Sequence, residues 1–489
     1  MGIISFAILI LITFYCLWRF QDRTDLKLSD LLVGWTVKLI CSVLFILIFS
    51  HYYGYGHLYG DADNFIRDSK QLADFGIAHP WEYIKLMIGI SPEPQLFYNS
   101  PLVETNIWSY GENGDFMNDN RLIIRINSII HFFSFGNIYV HGLVLSFLSF
   151  FGLLLIYQTF VKYVNNPRFF YYTIVLFPSV LFWGSGITKE AVLIFGLGLF
   201  FYGLFKIGRD KLLRYLFGIV LGGLIIVLNK PHVGLAVISL SPVIIIGRWL
   251  NWKTAFLIVV PIMTLIIATT LTYTPSKFNL LDKISYKQKD LVNMGKGGIF
   301  FINDSSFCAF DFKYLDHFKQ SNPKKITVLK DTKGEYKLFG QSIFYPFTIP
   351  ATDTLYDVYL IQPPSTSYID IPPINYSRTA LLKSIPVSIL NTTIRPFPWD
   401  PGRNFKYLAF ISNLLFLSFL IFSLLKFRKT TSQEKYFLTY FIISALVILL
   451  LIGWTTPILG AVVRYKVASE LFILIALSIS LKKLKNDVH

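Results

Sequence analysis

The segment IYVHGLVLSFLSFFGLLLIYQTFV, residues 138–161, contains no Asp, Glu, Lys or Arg. An apolar run of about 18 residues or more is long enough to cross the hydrocarbon core of a bilayer as a helix. Similar runs recur along the 489 residues, of which 54% are hydrophobic and 15% are charged. A soluble chain has roughly 25% charged residues. The sequence therefore predicts an all-α polytopic membrane protein whose first partner is the lipid bilayer.

We predict eleven membrane-spanning helices with two long polar segments between them. The long segments, residues 51–137 and 273–404, are predicted to be extracytoplasmic loops or subdomains. They separate two helices within residues 1–50, six helices within residues 138–272 and three helices within residues 405–489. The predicted helices cover residues 2–18, 31–50, 138–161, 169–185, 190–206, 212–229, 232–249, 253–272, 405–425, 436–453 and 460–481.

The positive charges fall mainly in one set of connections between the predicted helices. Cytoplasmic loops of membrane proteins carry an excess of Lys and Arg, so this bias places the N-terminus outside and the C-terminus in the cytoplasm. The bias also accounts for much of the formal charge of +16 without a nucleic-acid partner. The cations on the predicted cytoplasmic side are Arg19, Arg23, Lys27, Lys162, Arg168, Lys206, Arg209, Lys211, Arg214, Arg248, Lys253, Lys426, Arg428, Lys429, Lys435, Lys482, Lys483 and Lys485.

The two long segments differ in composition. Residues 51–137 contain ten Asp and Glu against five Lys and Arg. Their stretch NRLIIRINSIIHFFSFGN has apolar residues at helical spacing, which predicts an amphipathic helix on the membrane surface with Arg121 and Arg125 on another face. Residues 273–404 are long enough for a small domain and become rich in proline after residue 345. Proline favours extended and turn backbone over helix in that part.

Two carboxylates stand where the chain leaves the second predicted helix: in LYGDADNF, residues 58–65, Asp61 and Asp63 are one residue apart. A solvated turn would explain them without any function. Inside the spans, we expect His141 to be a satisfied core histidine and Lys38 to snorkel towards the cytoplasm. Other charges lie in short outer turns beside apolar sequence, where charge is costly and usually faces a bundle interior or a wet cavity. Interfacial snorkelling would explain the Lys and Arg among them, Lys230 above all, without any function. These outer groups are Lys189, Glu190, Lys230, His232, Arg464, Lys466 and Glu470.

An outward carboxylate together with outward cations at the lipid boundary suits sugar transfer from a polyprenyl-phosphate donor. In such a reaction the carboxylate is the general base that takes the proton of an acceptor hydroxyl as this hydroxyl attacks the anomeric carbon. The cations hold the lipid phosphate and stabilise its charge as the glycosidic C–O bond breaks. The second Asp can orient the acceptor, tune its neighbour or bind a divalent metal, so the sequence leaves the cofactor undetermined. The acceptor is a glycan, a lipid or a protein.

Four short motifs resemble those of a known class of enzymes. GDADNF, FPSVLFWGSGITKE, RPFPWD and RYK resemble motifs of the GT-C membrane glycosyltransferases, and within that class those of bacterial polysaccharide-assembly proteins. The resemblance implies Asp61 or Asp63 as the base. It implies Lys189, Arg464 and Lys466 as ligands of the donor phosphate. It also implies a location in the bacterial inner membrane with the active face outward.

Further residues are predicted near the same site. Glu190, Lys230 and His232 would line the site, and RPFPWD would bring Arg395 and Asp400 to its mouth. A rigid, Trp-anchored entry into the membrane explains RPFPWD equally well. The resemblance does not extend to residues 273–394, and the acidic motif follows the second predicted helix here, whereas it follows the first helix in typical members.

Three other functions are compatible with the same residues. An O-antigen-type polysaccharide polymerase or ligase also uses lipid-linked sugars at the outer face but relies more on Arg. A transporter or flippase for lipid-linked sugars would line a path with the same cations. Transporters tend to have internal repeats and broken helices in matching positions, and the sequence predicts neither. A non-catalytic scaffold is the third function.

Cys16, Cys41 and Cys308 have no spacing typical of a metal centre or a disulfide framework.

Overall fold

The computed structural model describes residues 1–108, 118–207, 212–272, 279–303, 306–322, 325–338, 341 and 343–483. The chain divides into two compact units. The first unit comprises residues 1–256, 418–445 and 467–489, and the second comprises residues 257–417 and 446–466. Of the predicted cytoplasmic cations, Arg209, Lys211, Lys485 and the side chain of Arg248 lie outside the described part.

The described residues are mainly helical, as the apolar runs predict. The α-helices are α1 (Gly2–Gln21), α2 (Leu28–Leu47), α3 (Asp61–Ala78), α4 (Pro80–Met87), α5 (Pro94–Tyr98), α6 (Arg121–Ser134), α7 (Ile138–Phe160), α8 (Pro167–Leu176), α9 (Pro178–Trp183), α10 (Lys189–Lys206), α11 (Leu212–Asn229), α12 (Pro231–Leu240), α13 (Pro242–Trp249), α14 (Trp252–Thr270), α15 (Leu280–Lys296), α16 (Arg378–Lys383), α17 (Ile385–Thr393), α18 (Phe405–Leu425), α19 (Ser432–Thr455), α20 (Leu459–Tyr465) and α21 (Val467–Ser480). A π-helical turn, Ile48–Tyr52, extends α2.

Within the described residues, seven helices are long and apolar enough to cross a membrane. They are α1, α2 with its π-helical turn, α7, α11, α14, α18 and α19. This finding supports a membrane protein but does not confirm the predicted count of eleven spans. Of the other four predicted spans, α10 is unbroken but carries Lys189, Glu190 and Lys206. The remaining three are interrupted, as α8–α9, α12–α13 and α20–α21.

Prolines explain two of the three interruptions. Phe177 precedes Pro178 and has an extended backbone with ψ of 127°, because a residue before proline avoids the helical region. Pro242 follows Ser241 and has no N–H with which to continue α12. The third interruption falls at Lys466 between α20 and α21, without a proline. The expectation of unbroken helices is therefore wrong.

The first long segment folds into α3–α6, which share one hydrophobic core with parts of α2, α7, α10 and α11. The predicted helix over NRLIIRINSIIHFFS is present as α6, and its place on the membrane surface stays a prediction. Arg121 and Arg125 are buried, whereas Phe132 and Phe133 are exposed. The guanidinium carbons of the two arginines lie 4.5 and 5.0 Å from the ring centre of Trp108, and cation–π attraction offsets part of the cost of burying them.

The second unit contains a β-sheet, so the prediction of an all-α fold is wrong for this region. Its sequence is rich in aromatic and β-branched residues, which pack well on a pleated surface. The described strands are β1 (Gly298–Asn303), β2 (Ser306–Asp311), β3 (Phe318–Asn322), β4 (Lys325–Val328), β5 (Thr332–Leu338), β6 (Tyr345–Ile349) and β7 (Thr352–Gln362). They form one antiparallel sheet in the order β3-β4-β7-β1-β2-β5-β6.

Aromatic side chains build the core of the sheet. The ring of Phe301 on β1 lies 5.2 Å from that of Phe310 on β2 and 4.8 Å from that of Tyr356 on β7. Helix α15 attaches to the sheet through Tyr286, whose hydroxyl oxygen accepts a hydrogen bond from Nζ of Lys337 at 2.9 Å. In the proline-rich part, β6 and β7 are extended as predicted, but α16 and α17 are helical.

Candidate functional site

The predicted catalytic carboxylates stand on the first turn of α3, in the first unit. Gly60 precedes the helix with φ of +68°, a conformation that glycine adopts without strain. Asp61 is exposed. Asp63 is half-buried, and its Oδ2 lies 3.7 Å from a guanidinium nitrogen of Arg67 one turn later. Ala62 between the two acids is buried in the core that α3 shares with α10, so the acids belong to a packed helix and not to a loose turn.

A third acid of α3, Asp68, was not singled out from the sequence. Its carboxylate is fully buried and accepts hydrogen bonds from the backbone N–H groups of Asn106, Ile107 and Trp108 at 2.7, 2.9 and 3.1 Å. Burial raises the pKa of Asp68, and these three hydrogen bonds oppose that rise. Asp68 thereby fixes the loop that carries Trp108. In the sequence, Asp68 stands seven residues after Asp61, and this spacing would place both acids on one face of a helix. No other sequence feature points to Asp68.

Lys189 and Glu190, on the first turn of α10, both form ion pairs within the first unit. Nζ of Lys189 lies 2.8 Å from Oδ2 of Asp119. Nζ of Lys230 lies 2.7 Å from Oε1 of Glu190, and both side chains are only 2% exposed. Nδ2 of Asn229 donates a hydrogen bond to the backbone oxygen of Lys189 at 2.6 Å. The structure therefore brings three predicted site residues together at the starts of α10 and α12.

The partners of these cations distinguish their roles. Lys230 is enclosed with Glu190, so it has no surface with which to meet a substrate. Lys189 is paired with Asp119, whose side chain is 44% exposed, and this ion pair is reachable from outside. His232 is half-buried in the first turn of α12. The sequence analysis missed Asp119, although NDN just before a helix is a typical start signal.

In the second unit, Asp400 closes the RPFPWD turn. Its Oδ2 accepts a hydrogen bond from the backbone N–H of Phe397 at 2.7 Å and lies 3.8 Å from Nε of Arg395. Lys406 donates to the backbone oxygen of Asp400. Trp399 is 78% exposed. These contacts favour the interpretation of RPFPWD as a rigid turn that presents a tryptophan.

Lys466 occupies the interruption between α20 and α21, also in the second unit. The side chain is buried, and its Nζ donates a hydrogen bond to Oδ1 of Asn413 at 2.6 Å. Nδ2 of Asn413 in turn donates to the backbone oxygen of Arg395 at 2.8 Å. Lys466 is thus linked to the RPFPWD turn through one side chain. Arg464 is half-buried, and its guanidinium lies 5.1 Å from the ring centre of Tyr465.

The predictions for His141 and Lys38, which lie inside predicted spans, have different outcomes. His141 is a satisfied core histidine, as predicted: its ring nitrogens lie 2.8 Å from Oδ1 of Asn127 and 3.1 Å from Oγ of Ser134. Lys38 does not snorkel. It is fully buried and donates a hydrogen bond to the backbone oxygen of Gly184 at 3.0 Å. Gly184 ends α9, so Lys38 satisfies a terminal carbonyl of an interrupted helix.

Among the residues that the structure describes, no group of three or more His, Cys, Asp or Glu side chains is placed to hold a metal ion. No protein-family model, curated protein or solved structure matches the chain. The assignment to the GT-C class therefore stays a hypothesis that depends on the residues and their geometry.

Proposed function

We propose that this protein is a membrane glycosyltransferase that moves a sugar from a polyprenyl-phosphate donor to an acceptor hydroxyl at the outer face of the membrane. One observation carries the proposal. The exposed Asp61 begins a packed helix that follows the apolar helix α2, and this helix shares its core with the start of α10, where Lys189 lies. A carboxylate and a cation on two helices that share one core are the two kinds of group that such a transfer requires.

We assign the general base to Asp61 and an orienting role to Asp63. Asp61 is exposed and accessible to an acceptor, whereas Asp63 is half-buried. The acceptor proton passes to the carboxylate of Asp61 as the acceptor oxygen bonds to the anomeric carbon. The bond between the anomeric carbon and the phosphate oxygen breaks, and its electron pair leaves with the phosphate. The products are a new glycoside and polyprenyl phosphate.

Lys189 is assigned to the donor phosphate. As the sugar leaves, the negative charge of the phosphate grows, so a cation stabilises the transition state more than the bound donor. Asp119 holds the ammonium group of Lys189 at 2.8 Å from a partly exposed position, and a phosphate group would replace it as the partner. Arg464 and Lys466, in the second unit, stay predicted donor-phosphate ligands. In this proposal Glu190 and Lys230 position α10 and α12.

The test compares wild type with Asp61→Asn and Asp63→Asn in proteoliposomes supplied with a panel of polyprenyl-phosphate sugars and acceptor extracts. Mass spectrometry measures the released polyprenyl phosphate. Asp61→Asn should lower release by roughly 10²- to 10⁴-fold, as for loss of a general base, and Asp63→Asn should lower it less. Asp74→Asn, an exposed acid on the same helix, is the matched control and should leave release unchanged. If Asp61→Asn releases as much polyprenyl phosphate as wild type, the proposal is contradicted.

A transporter or flippase for lipid-linked sugars is the second candidate, because three predicted spans are interrupted helices. Transporters use such discontinuous helices to build substrate sites near the middle of the membrane. The two functions differ in whether the donor is cleaved. A fluorescent polyprenyl-phosphate sugar that crosses the vesicle membrane intact, with no polyprenyl phosphate released, would favour transport over transfer.

A further inference from the structure

Three cations line one cleft. The cleft lies where α1 and α10 end and α11 begins, beside connections that are predicted to be cytoplasmic. The cleft has a volume of about 440 Å³, and Arg23, Lys206 and Arg214 line it together with Gln158 and Tyr202. Nζ of Lys206 and the guanidinium carbon of Arg214 lie 4.8 and 5.7 Å from the ring centre of Tyr202. The tyrosine therefore holds both cations at the wall of the cleft by cation–π attraction.

These three cations differ from those at the start of α10 and α12, which are paired with carboxylates. In the described ranges, no carboxylate forms an ion pair with Arg23, Lys206 or Arg214; Asp210 lies outside those ranges. Like charges that share one cleft repel one another. An anion bound there would remove this repulsion, so the chemistry of the cleft selects a negatively charged ligand.

An apolar cavity adjoins the basic cleft. It has a volume of about 290 Å³ and is lined by side chains of α1, α7 and α10, including Leu148 and Phe195. Phe20 and Phe151 line both the apolar cavity and the basic cleft. The two spaces are therefore neighbours, one charged and one apolar, and together we call them the groove. A molecule that matches this groove has an anionic headgroup and a hydrocarbon chain.

We propose that this groove binds one membrane phospholipid with an anionic headgroup. The phosphate lies among Arg23, Lys206 and Arg214, and one acyl chain follows the apolar cavity along α1 and α7. Basic pockets between membrane helices on the cytoplasmic side bind such headgroups, and Arg can offer two parallel hydrogen bonds to a phosphate. The site is separate from Asp61 and Lys189 and does not depend on the outer-face reaction.

The test measures lipid binding to purified protein in detergent by native mass spectrometry. The probes are phosphatidylglycerol, phosphatidylcholine with the same acyl chains, farnesyl phosphate and inorganic phosphate. The variant Arg23→Gln/Lys206→Gln/Arg214→Gln removes the three cations of the cleft. The control variant Lys426→Gln/Lys429→Gln/Lys483→Gln removes the same charge from exposed positions elsewhere. Leu148→Trp narrows the apolar cavity without changing the charge.

Wild type should bind phosphatidylglycerol at least roughly 10-fold more tightly than phosphatidylcholine, and the cleft variant should lose roughly 100-fold, from the contribution of each cation near a lipid phosphate. The control variant should bind as wild type, and Leu148→Trp should weaken binding of phosphatidylglycerol but not of inorganic phosphate. Equal binding of both phospholipids, or unchanged binding by the cleft variant, would overturn the proposal. If inorganic phosphate binds as tightly as phosphatidylglycerol, the cleft is a simple anion site. If farnesyl phosphate binds more tightly than phosphatidylglycerol, the groove is a polyprenyl-phosphate site. Either result would overturn the phospholipid assignment.

Discussion

The buried pair of Glu190 and Lys230 contributes to stability only while both charges are present. Removing one partner takes the nearest opposite charge from a buried ion, which costs about 3–5 kcal/mol, whereas replacing both with neutral groups is often tolerated. We expect Glu190→Gln to lower the free energy of unfolding by that amount and Glu190→Gln/Lys230→Met to recover most of it. Chemical unfolding in detergent measures both variants.

The exposed pair of Lys70 and Asp74 provides the matched control for this prediction. Its N–O distance of 2.6 Å resembles that of the buried pair, but its side chains are 62% and 38% exposed. Exposed ion pairs contribute about 0–1 kcal/mol, so Asp74→Asn should change the free energy of unfolding by no more than this. Equal losses for Asp74→Asn and Glu190→Gln would show that burial does not determine the effect.

Asp119 competes with a donor phosphate for Lys189 in the proposed reaction. Asp119→Asn removes the carboxylate that lies 2.8 Å from the ammonium group, so the cation becomes more available to another anion. We expect this variant to bind farnesyl phosphate roughly 5- to 10-fold more tightly, as for one exposed ion pair lost. Isothermal titration calorimetry measures the affinity. Lys189→Gln should bind more weakly than wild type, and an equal affinity of all three proteins would remove Lys189 from the donor site.

For single residues, the sequence identifies the charged side chains better than the partners that they contact. Lys189, Glu190 and Lys230 stand out because charge beside apolar sequence is rare and costly. Asp119 and Asn413 do not stand out, because their partners are distant in the chain and only the folded structure brings them together. The same reason explains why Lys38 was expected to snorkel and is instead hydrogen-bonded in the interior.

Helices α4 and α6 present an apolar face that suits the bilayer interface. On α4 and just after it, Trp81, Ile84 and Ile88 are exposed and follow helical spacing. On α6, Phe132 and Phe133 are exposed, and the apolar helix α7 begins four residues after α6 ends. An environment-sensitive fluorophore on Ile84→Cys should be quenched by brominated lipids, because an apolar helix face enters the boundary between headgroups and acyl chains.

The control for this measurement is the same fluorophore on Lys70→Cys, an exposed polar position on α3. Both variants carry Cys16→Ser, because Cys16 is exposed in the native chain. Lys70→Cys should resist quenching by brominated lipids and yield to an aqueous quencher. Equal accessibility of both positions to the aqueous quencher would place the apolar face of α4 in water.

The contact between α3 and α6 should be sensitive to acid through His131. Its Nε2 lies 3.2 Å from the backbone oxygen of Ile66 and 3.0 Å from Oγ of Ser69, and burial lowers the pKa of this histidine. The folded protein therefore holds a neutral ring, while the unfolded chain binds a proton near pH 6.5. Stability from this group is present above about pH 6.5 and is lost as the pH falls below it.

The measurement is the melting temperature in detergent between pH 8 and pH 5 for wild type and His131→Gln. Wild type should lose more stability on acidification than the variant, because the variant has no proton to bind at this position. Parallel pH profiles for the two proteins would show that protonation of His131 does not weaken the contact.

The positions of helices are predictable from the sequence, but their continuity and their faces are less so. Apolar length identifies α1, α7 and α18 because nothing else satisfies the backbone in hydrocarbon. The interruption at Lys466 has no proline and no local signal. For α6, the two arginines are buried because Trp108 from a separate loop stabilises them, and polarity alone does not predict that burial.

At the scale of the whole molecule, the largest error concerns residues 298–362. Proline content predicts extended backbone only after residue 345, where β6 and β7 are extended, and extended backbone alone does not specify a sheet. Antiparallel pairing depends on register between strands far apart in sequence, such as β1 with β7. The presence of apolar helices long enough to cross a membrane was accessible because it depends on composition, whereas the sheet depends on long-range pairing.

The side of the membrane on which each segment lies tests the whole arrangement at once. Six predicted spans separate Ser91 from Gln320, and two of the six are the interrupted pairs α8–α9 and α12–α13. One span, α18, separates Gln320 from Ser432. The positive-inside bias favours all of these crossings, so Ser91 and Gln320 lie outside and Ser432 lies in the cytoplasm. Cys substitutions at Ser91 and Gln320 should therefore react with an impermeant thiol reagent in intact cells, and a Cys at Ser432 should not.

All three positions are exposed, so a lack of reaction reports the side of the membrane and not burial. Each substitution is made with Cys16→Ser, and permeabilised cells serve as the control in which every position should react. If one interrupted pair enters and leaves on the same side, the number of crossings becomes odd and Ser91→Cys and Gln320→Cys will differ in labelling. Labelling of Ser432→Cys alone would reverse the orientation, and with it the assignment of Asp61 and Lys189 to the outer face.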